Sequence, residues 1–220
     1  MKLIRLEPDV YLLDRSIVFP DLNAGSFGDL ICVGGDLSAE RLLMAYKSGI
    51  FPWYIEDSMP YWFSPQVRMI LFPDRFHISK SLAKTIRNGG FEARFDSDFE
   101  GVMRACSKPR KYESSTWIDE EFINGYSELF KLGYAHSIEV LHSGVLVGGL
   151  YYVAIAGVCF GESMFAFRRD ASKVALKALC DLPFDFIDCQ VPSKHLASLG
   201  GEEIAREEYL ALLRRSLASA

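Results

Sequence analysis

The chain has 220 residues, 50% of them hydrophobic, 13% aromatic and 24% charged, enough to bury the core of one large domain or of a domain with a small companion; this excludes a disordered chain. A formal net charge of −5 argues against a general nucleic-acid coat, which needs positive charge to capture phosphate, and leaves room only for a local basic patch. Charges interrupt the apolar run a signal peptide would need at Met1-Lys2-Leu3-Ile4-Arg5-Leu6-Glu7-Pro8, and no later run is long enough to span a bilayer. The expected compartment is the cytoplasm, with no membrane partner. The five cysteines (Cys32, Cys106, Cys159, Cys180, Cys189) form no C-x-x-C pair and the histidines are dispersed, so buried free thiols are expected, without disulfides or a metal site.

In chain order, Ser38 is placed to cap a helix over Ala39 to Ser48, with Leu42, Leu43 and Tyr46 at helical spacing and Gly49 as its stop. The following runs, Gly49-Ile50-Phe51-Pro52-Trp53-Tyr54 and Pro60-Tyr61-Trp62-Phe63-Ser64-Pro65, are aromatic and proline-punctuated and resist a regular helical or strand reading. A domain boundary is expected near Pro65, giving a small N-terminal domain over 1–65 and a larger one over 66–220. Ser79 opens a helix ending at Asn88-Gly89-Gly90, with Lys80, Lys84 and Arg87 on one basic face. Further helices are expected from near Asp96 and from Asp119 to Leu132. The pattern then turns to strands over Ala135 to Leu141, Val145 to Ile155 and Val158 to Phe165, joined by turns at His142-Ser143-Gly144 and Ala156-Gly157. A helix from Ala171 to Cys180 with Asp170 as cap, a strand from Phe184 to Gln190 and helices beginning near Ser193 and Arg206 complete the chain. The order β-β-β-α-β-α predicts a mixed α/β (α+β) fold with a largely antiparallel sheet, its ligand near the C-terminal end of the last strand.

Alternation along that strand puts Asp188 and Gln190 on one face and Cys189 on the other. A carboxylate and an amide ending an apolar strand need partners, and two readings stand: a satisfied polar network, or a reacting centre. By the same alternation Glu162 and Met164 share a face, opposite Ser163, with Gly161 permitting close approach. Gly161-Glu162-Ser163-Met164-Phe165 lacks the second glycine of a nucleophile elbow. Cys189 with His195 could supply a nucleophile and base, but an inert core thiol is preferred. Trp53, Tyr54, Tyr61, Trp62, Phe63 and Trp117 pack a core or, taken together, offer a stacking surface; beside them the basic helix and the loop Lys108-Pro109-Arg110-Lys111 suit a nucleic-acid end. Gly34-Gly35 and Gly148-Gly149 lack phosphate-loop spacing and read as turn and close-packing positions. Ala166-Phe167-Arg168-Arg169-Asp170 holds no glycine where a coenzyme A pyrophosphate turn would need one, which disfavours that cofactor.

Val33-Gly34-Gly35-Asp36-Leu37, Gly49-Ile50-Phe51-Pro52-Trp53, Thr116-Trp117-Ile118, Ala135-His136-Ser137-Ile138-Glu139, Val147-Gly148-Gly149-Leu150-Tyr151, Gly161-Glu162-Ser163-Met164-Phe165, Ala171-Ser172-Lys173, Ile187-Asp188-Cys189-Gln190 and His195-Leu196-Ala197-Ser198-Leu199-Gly200 together resemble the leucyl/phenylalanyl-tRNA-protein transferases of bacteria. The order of these motifs spans most of the chain. Departures are Tyr61-Trp62-Phe63, where that family tends to carry adjacent tryptophans, and Ala166, where it tends to carry serine.

The resemblance implies an acetyltransferase-like (GNAT-like) C-terminal domain that works without coenzyme A or any other cofactor. It implies transfer of leucine or phenylalanine from Leu-tRNA or Phe-tRNA to proteins with N-terminal Arg or Lys, marking them for N-end-rule degradation, with no stable protein partner. Carried onto this sequence, it implies Asp188 and Gln190 at the reacting centre. Glu162, Met164, Trp53, Trp117 and Tyr126 would bind substrate, the two tryptophans near the terminal adenosine. The basic residues Lys80, Lys84, Arg87, Lys108, Arg110 and Lys111 would meet the tRNA. The rival from another class is an adaptor that binds tRNA ends or protein N-termini without chemistry; a coenzyme A-dependent acetyltransferase is the rival within the fold.

Overall fold

A computed structural model describes residues 4–7, 9–108 and 118–219. Its first sheet has the order β1-β2-β3-β5-β4, from strands β1 (Ile4–Glu7), β2 (Val10–Leu13), β3 (Leu30–Gly34), β4 (Phe51–Glu56) and β5 (Met59–Phe63). Helix α1 (Ala39–Lys47) enters between β3 and β4. The two aromatic runs expected to be irregular are β4 and β5, an antiparallel hairpin. The prolines are accommodated because β4 is an edge strand with its register shifted between Pro52 and Tyr54, and Pro60 stands second in β5. Ring contacts such as Tyr54 stacked on Tyr61 favour the pleat over the loop that proline suggested. Gly34 and Gly35, both with φ above +70°, make the turn expected of them.

The second sheet has the order β12-β6-β11-β10-β9-β8-β7. Its centre is the expected meander, β8 (Ala135–His142), β9 (Val145–Ile155) and β10 (Val158–Ala166), followed by helix α5 (Ala171–Cys180) and strand β11 (Phe186–Gln190). Strand β11 lies parallel to β10, and every other pairing in this sheet is antiparallel. Short strands β6 (Val67–Leu71), β7 (Phe91–Phe95) and β12 (Glu202–Ala205) extend the sheet beyond what the periodicity indicated, so the fold is the expected mixed α/β one with wider edges. Helix α2 (Lys80–Asn88) is capped by the Ser79 side chain as expected, and α4 (Glu120–Lys131) by Asp119. The helix expected from Asp96 is α3 (Phe99–Cys106), capped by Asp98. The helix near Ser193 is one turn, α6 (Lys194–Ala197), and α7 (Arg206–Ala218) closes the chain. Ser38 and Asp170 stand at helix starts but lend no side-chain cap; the Asp170 carboxylate takes Lys173 instead.

Helix α5 covers one face of this sheet, with Leu176, Leu179, Leu150 and Ile187 in its core. That face needs Gly148, where a Cβ would stand 2.5 Å from the Ala171 Cβ at the start of α5. On the other face α3 packs against β9 and α4 against β8, and their core runs on through Tyr46, Trp62 and Leu210, so one apolar cluster binds both sheets together. The five cysteines are free, and Cys32, Cys106 and Cys159 are buried. Among the described residues no helix is long and apolar enough to cross a membrane.

Candidate active site

Strands β10 and β11 pair only from Val158↔Phe186 to Phe160↔Asp188; beyond that point they part. Two β-bulges accompany the parting: β10 shifts register against β9 between Gly161 and Ser163, and β11 shifts against β6 between Asp188 and Gln190. Parting strands leave unpaired backbone and open space inside the sheet, where ligands can reach. A cavity of about 110 Å³ occupies it, lined by Leu150, Leu176, Leu179, Ile187 and Leu196 on its apolar part and by Glu162, Met164, Cys189 and Gln190 among others. An apolar cavity of about 150 Å³ takes up benzene, so this smaller one is of a size for an aliphatic side chain, and an aromatic ring would enter only as its walls give way.

The bulge at Glu162 overturns the expectation that Glu162 and Met164 share a face. One extra residue restarts the alternation: Met164 packs into the core under α5, while the Glu162 carboxylate turns towards α1 and α4. There Tyr46 donates to Glu162 Oε1 at 2.6 Å, Tyr126 donates to Oε2 at 3.0 Å, and the Gln190 side-chain amide donates to Oε1 at 3.1 Å. The two tyrosine oxygens also lie 2.5 Å apart. Burial is the main force on the Glu162 carboxyl and pushes it up to about 7 against the tyrosine hydrogen bonds, which favour the ionised form. Burial likewise holds both tyrosines well above the usual phenol range, so they are neutral donors.

Asp188 and Gln190 are joined, but not as neighbours on a regular strand. Gln190 adopts φ +64°, and its backbone N–H donates to Asp188 Oδ1 at 2.8 Å. Its side chain lines the cavity, whereas Asp188 is fully buried beside it and grips Arg68 through two hydrogen bonds of 2.9 and 2.6 Å, with a third donor in Tyr209 at 2.8 Å. Burial works against the Arg68 charge, but Asp188 and Tyr209 outweigh it and raise its pKa, while the rings of Phe51 and Tyr209 flank the guanidinium. Every lone-pair direction of the Asp188 carboxylate is thus taken up. Cys189 lines the cavity with its thiol pushed up by burial and turned to the Ile187 carbonyl, as befits an inert packing group.

Trp53 is half-buried on β4 and lines a groove with Pro65, Gln66, Val67, Val191 and Pro192, one residue along the chain from Gln190. Tyr126 is fully buried and reaches the site only through Glu162. Lys80, Lys84 and Arg87 are exposed on α2, and Lys84 borders a second groove with Arg168 and Arg169 from the turn after β10. Lys108 is exposed and stands over the Phe167 ring in the same turn. Trp117, Arg110 and Lys111 lie outside the described residues. Residue spacing alone missed Tyr46, Arg68, Arg168 and Arg169. Only the Arg168-Arg169 pair carries a local signal, since Tyr46 reads as an ordinary helix residue and Arg68 stands in a stretch given no element until the fold brings them in. No group of three or more His, Cys, Asp or Glu side chains among the described residues is placed to hold a metal.

Residues 70–214 match the model of the leucyl/phenylalanyl-tRNA protein transferase family, and residues 35–66 match its N-terminal domain model. The leucyl/phenylalanyl-tRNA–protein transferase of Dechloromonas aromatica is 51% identical over 87% of this chain and 84% of its own. That of Syntrophobacter fumaroxidans is 47% identical over 94% and 91%. Among solved structures, a GCN5-related N-acetyltransferase from Kribbella flavida covers 74% of this chain and 60% of its own at 12% identity and a TM-score of 0.41.

Proposed function

This chain belongs to the leucyl/phenylalanyl-tRNA-protein transferase family, and we propose that it moves leucine or phenylalanine from aminoacyl-tRNA to the α-amino group of proteins beginning with Arg or Lys. The observation that carries this reading at the residue level is the cavity between β10 and β11: an apolar space of side-chain size that meets a hydrogen-bonded carboxylate and amide, Glu162 and Gln190. The aminoacyl side chain enters the apolar part, with Met164 as an adaptable wall. Its ester carbonyl then stands near Gln190.

The reaction is aminolysis of an activated ester. An α-amine titrates near about 7.7 to 8, so part of it is neutral at cellular pH, and positioning does much of the catalytic work. Gln190 orients the amine by hydrogen bonding. Asp188, closed off from the cavity, is a positioning residue: it holds the Gln190 backbone and balances the Arg68 charge. Trp53 borders the groove beside Gln190 and suits the terminal adenosine, while Lys80, Lys84, Arg87 and Lys108 face the tRNA. Residues 1–65 form the small domain and 66–220 the catalytic one, working in the cytoplasm where charged tRNA and the acceptor proteins meet.

Labelled Leu-tRNA with an Arg-initiated peptide tests this directly. The chain should yield a peptide one leucine longer, acetyl-coenzyme A should give no acetylated product, and Gln190→Ala should lower kcat more than it raises KM. No elongated peptide, with binding of both substrates intact, would make the chain an adaptor.

A further inference from the structure

We propose that Glu162, Tyr46 and Tyr126 form a ring that takes the proton released by the acceptor amine and hands it to the departing ribose oxygen. The proposal rests on the aminoacyl-transfer reading and adds to it the route of the proton. It starts from a count of hydrogens.

Three oxygen–oxygen contacts close the ring: Tyr46 to Glu162 Oε1 at 2.6 Å, Tyr126 to Glu162 Oε2 at 3.0 Å, and Tyr46 to Tyr126 at 2.5 Å. Each hydroxyl owns one hydrogen. With Glu162 ionised, both hydrogens turn to the carboxylate, because charge-assisted hydrogen bonds are the stronger ones. The tyrosine–tyrosine contact is then two facing oxygens with no hydrogen between them. With Glu162 neutral, its own hydrogen on Oε2 goes to Tyr126, the Tyr126 hydrogen goes to Tyr46, and the Tyr46 hydrogen goes to Oε1. All three contacts become hydrogen bonds. The geometry therefore suits one proton more than the ionised ring holds.

The ring faces the site directly, since Glu162 lines the cavity and accepts from the Gln190 amide. Besides Tyr46 from α1 and Tyr126 from α4, the charged or titratable groups facing it include Tyr151 from β9, the buried Cys159 thiol from β10, Asp188 from β11 and Arg68 from β6. Asp188 and Arg68 act in opposite directions and are paired to each other, so burial governs, in keeping with a carboxyl at about 7. Such a group is ionised often enough to accept a proton at neutral pH and acidic enough to release it.

The step balances without a co-reactant. The amine nitrogen bonds to the ester carbonyl carbon, and the carbonyl π pair moves onto oxygen. The nitrogen, now cationic, gives a proton to Glu162. The oxygen pair re-forms the carbonyl, the bond to the ribose oxygen breaks, and that oxygen takes the proton from Glu162. Concerted transfer of three hydrogens, from Oε2 to the Tyr126 oxygen, from Tyr126 to the Tyr46 oxygen and from Tyr46 to Oε1, leaves each hydroxyl with one hydrogen and the carboxyl proton on its other oxygen, so a proton can arrive at one oxygen and leave from the other.

The test combines pH profiles of single-turnover leucine transfer with infrared titration of the free protein, for wild type, Tyr46→Phe, Tyr126→Phe and Glu162→Gln. Wild type should show a rate that rises as pH passes about 7. Each tyrosine donates to the ionised form, so each Phe variant should move that limb to higher pH by about one pH unit. Glu162→Gln should lose the limb at about 7 and keep only the one set by the acceptor amine at about 8, with a rate at least about 100-fold lower. A carboxyl band titrating near neutral pH should be present in wild type and missing in Glu162→Gln, whatever the transfer activity. A limb that stays in place in both Phe variants, or a carboxyl band that survives Glu162→Gln, overturns the proposal. A wild-type chain with the band but no transfer instead overturns the transferase reading, and the proton route falls with it.

Discussion

Asp188 braces the candidate site from outside the cavity. Its carboxylate accepts from Arg68 twice, from Tyr209 and from the Gln190 backbone, all inside the protein. Replacing it by Asn removes the charge that balances a buried guanidinium and leaves one former acceptor as a donor. Breaking a buried pair in this way costs about 3 to 5 kcal/mol, so Asp188→Asn should lower stability by that order in urea unfolding, besides lowering kcat. Gln190→Ala removes only a half-buried amide lining the cavity and should stay within about 1 kcal/mol of wild type. Equal stability of the two variants would mean that Arg68 finds another partner. Gln190 itself sits in the left-handed region, an arrangement costing about 1 kcal/mol or more for a non-glycine residue. The grip of Asp188 on its N–H helps hold that conformation and aims the amide into the cavity.

The meander and α5 were legible because turn residues bound β8, β9 and β10, whose runs are long enough to read despite a register shift in two of their pairings, and because α5 is a helical run with alanines facing the sheet. Strands β7 and β12 were not, being short edges: Phe91-Glu92-Ala93-Arg94-Phe95 does alternate apolar with charged, but for five residues only, and the four residues of β12 carry no alternation; β4 and β5 were hidden by proline. At the site, the sequence pattern located Glu162, Asp188 and Gln190 but misjudged how they face, since a bulge inserts one residue and no side-chain period records it. Those bulges make the cavity, and α5 sets its width through Leu176 and Leu179. Leu176→Phe should therefore narrow it. Phenylalanine transfer should fall about tenfold relative to leucine transfer in a competition between the two charged tRNAs, within the range that side-chain fit can discriminate. An unchanged ratio would place the donor side chain outside this cavity.

Across the whole molecule, a net charge of −5 coexists with a local basic surface between α2 and the turn after β10, and on the proposed function this contrast would orient a polyanion. Lys80, Lys84 and Arg87 line up on α2, and the fold sets Arg168 and Arg169 across a groove from Lys84, with Lys108 close to the same turn. Arg168 is engaged by His142 and the Phe91 ring, whereas the Arg169 side chain is 88% exposed, with a 3.7 Å contact to Asp170 among the described residues. Lys84 and Arg169 are therefore exposed cations on opposite sides of this groove, open to phosphate. Phosphate contacts release counterions, so tRNA affinity should fall linearly with salt on logarithmic axes, and each lost contact should flatten the slope by about 1. Lys84→Ala with Arg169→Ala should thus reduce the slope by about 2 while leaving transfer from saturating tRNA nearly intact. Lys131→Ala, at the end of α4 where Lys131 pairs with Glu128, should change neither. Filter binding of Leu-tRNA across a salt series separates these outcomes. A slope unmoved in the double variant would place the acceptor stem on another face of the molecule.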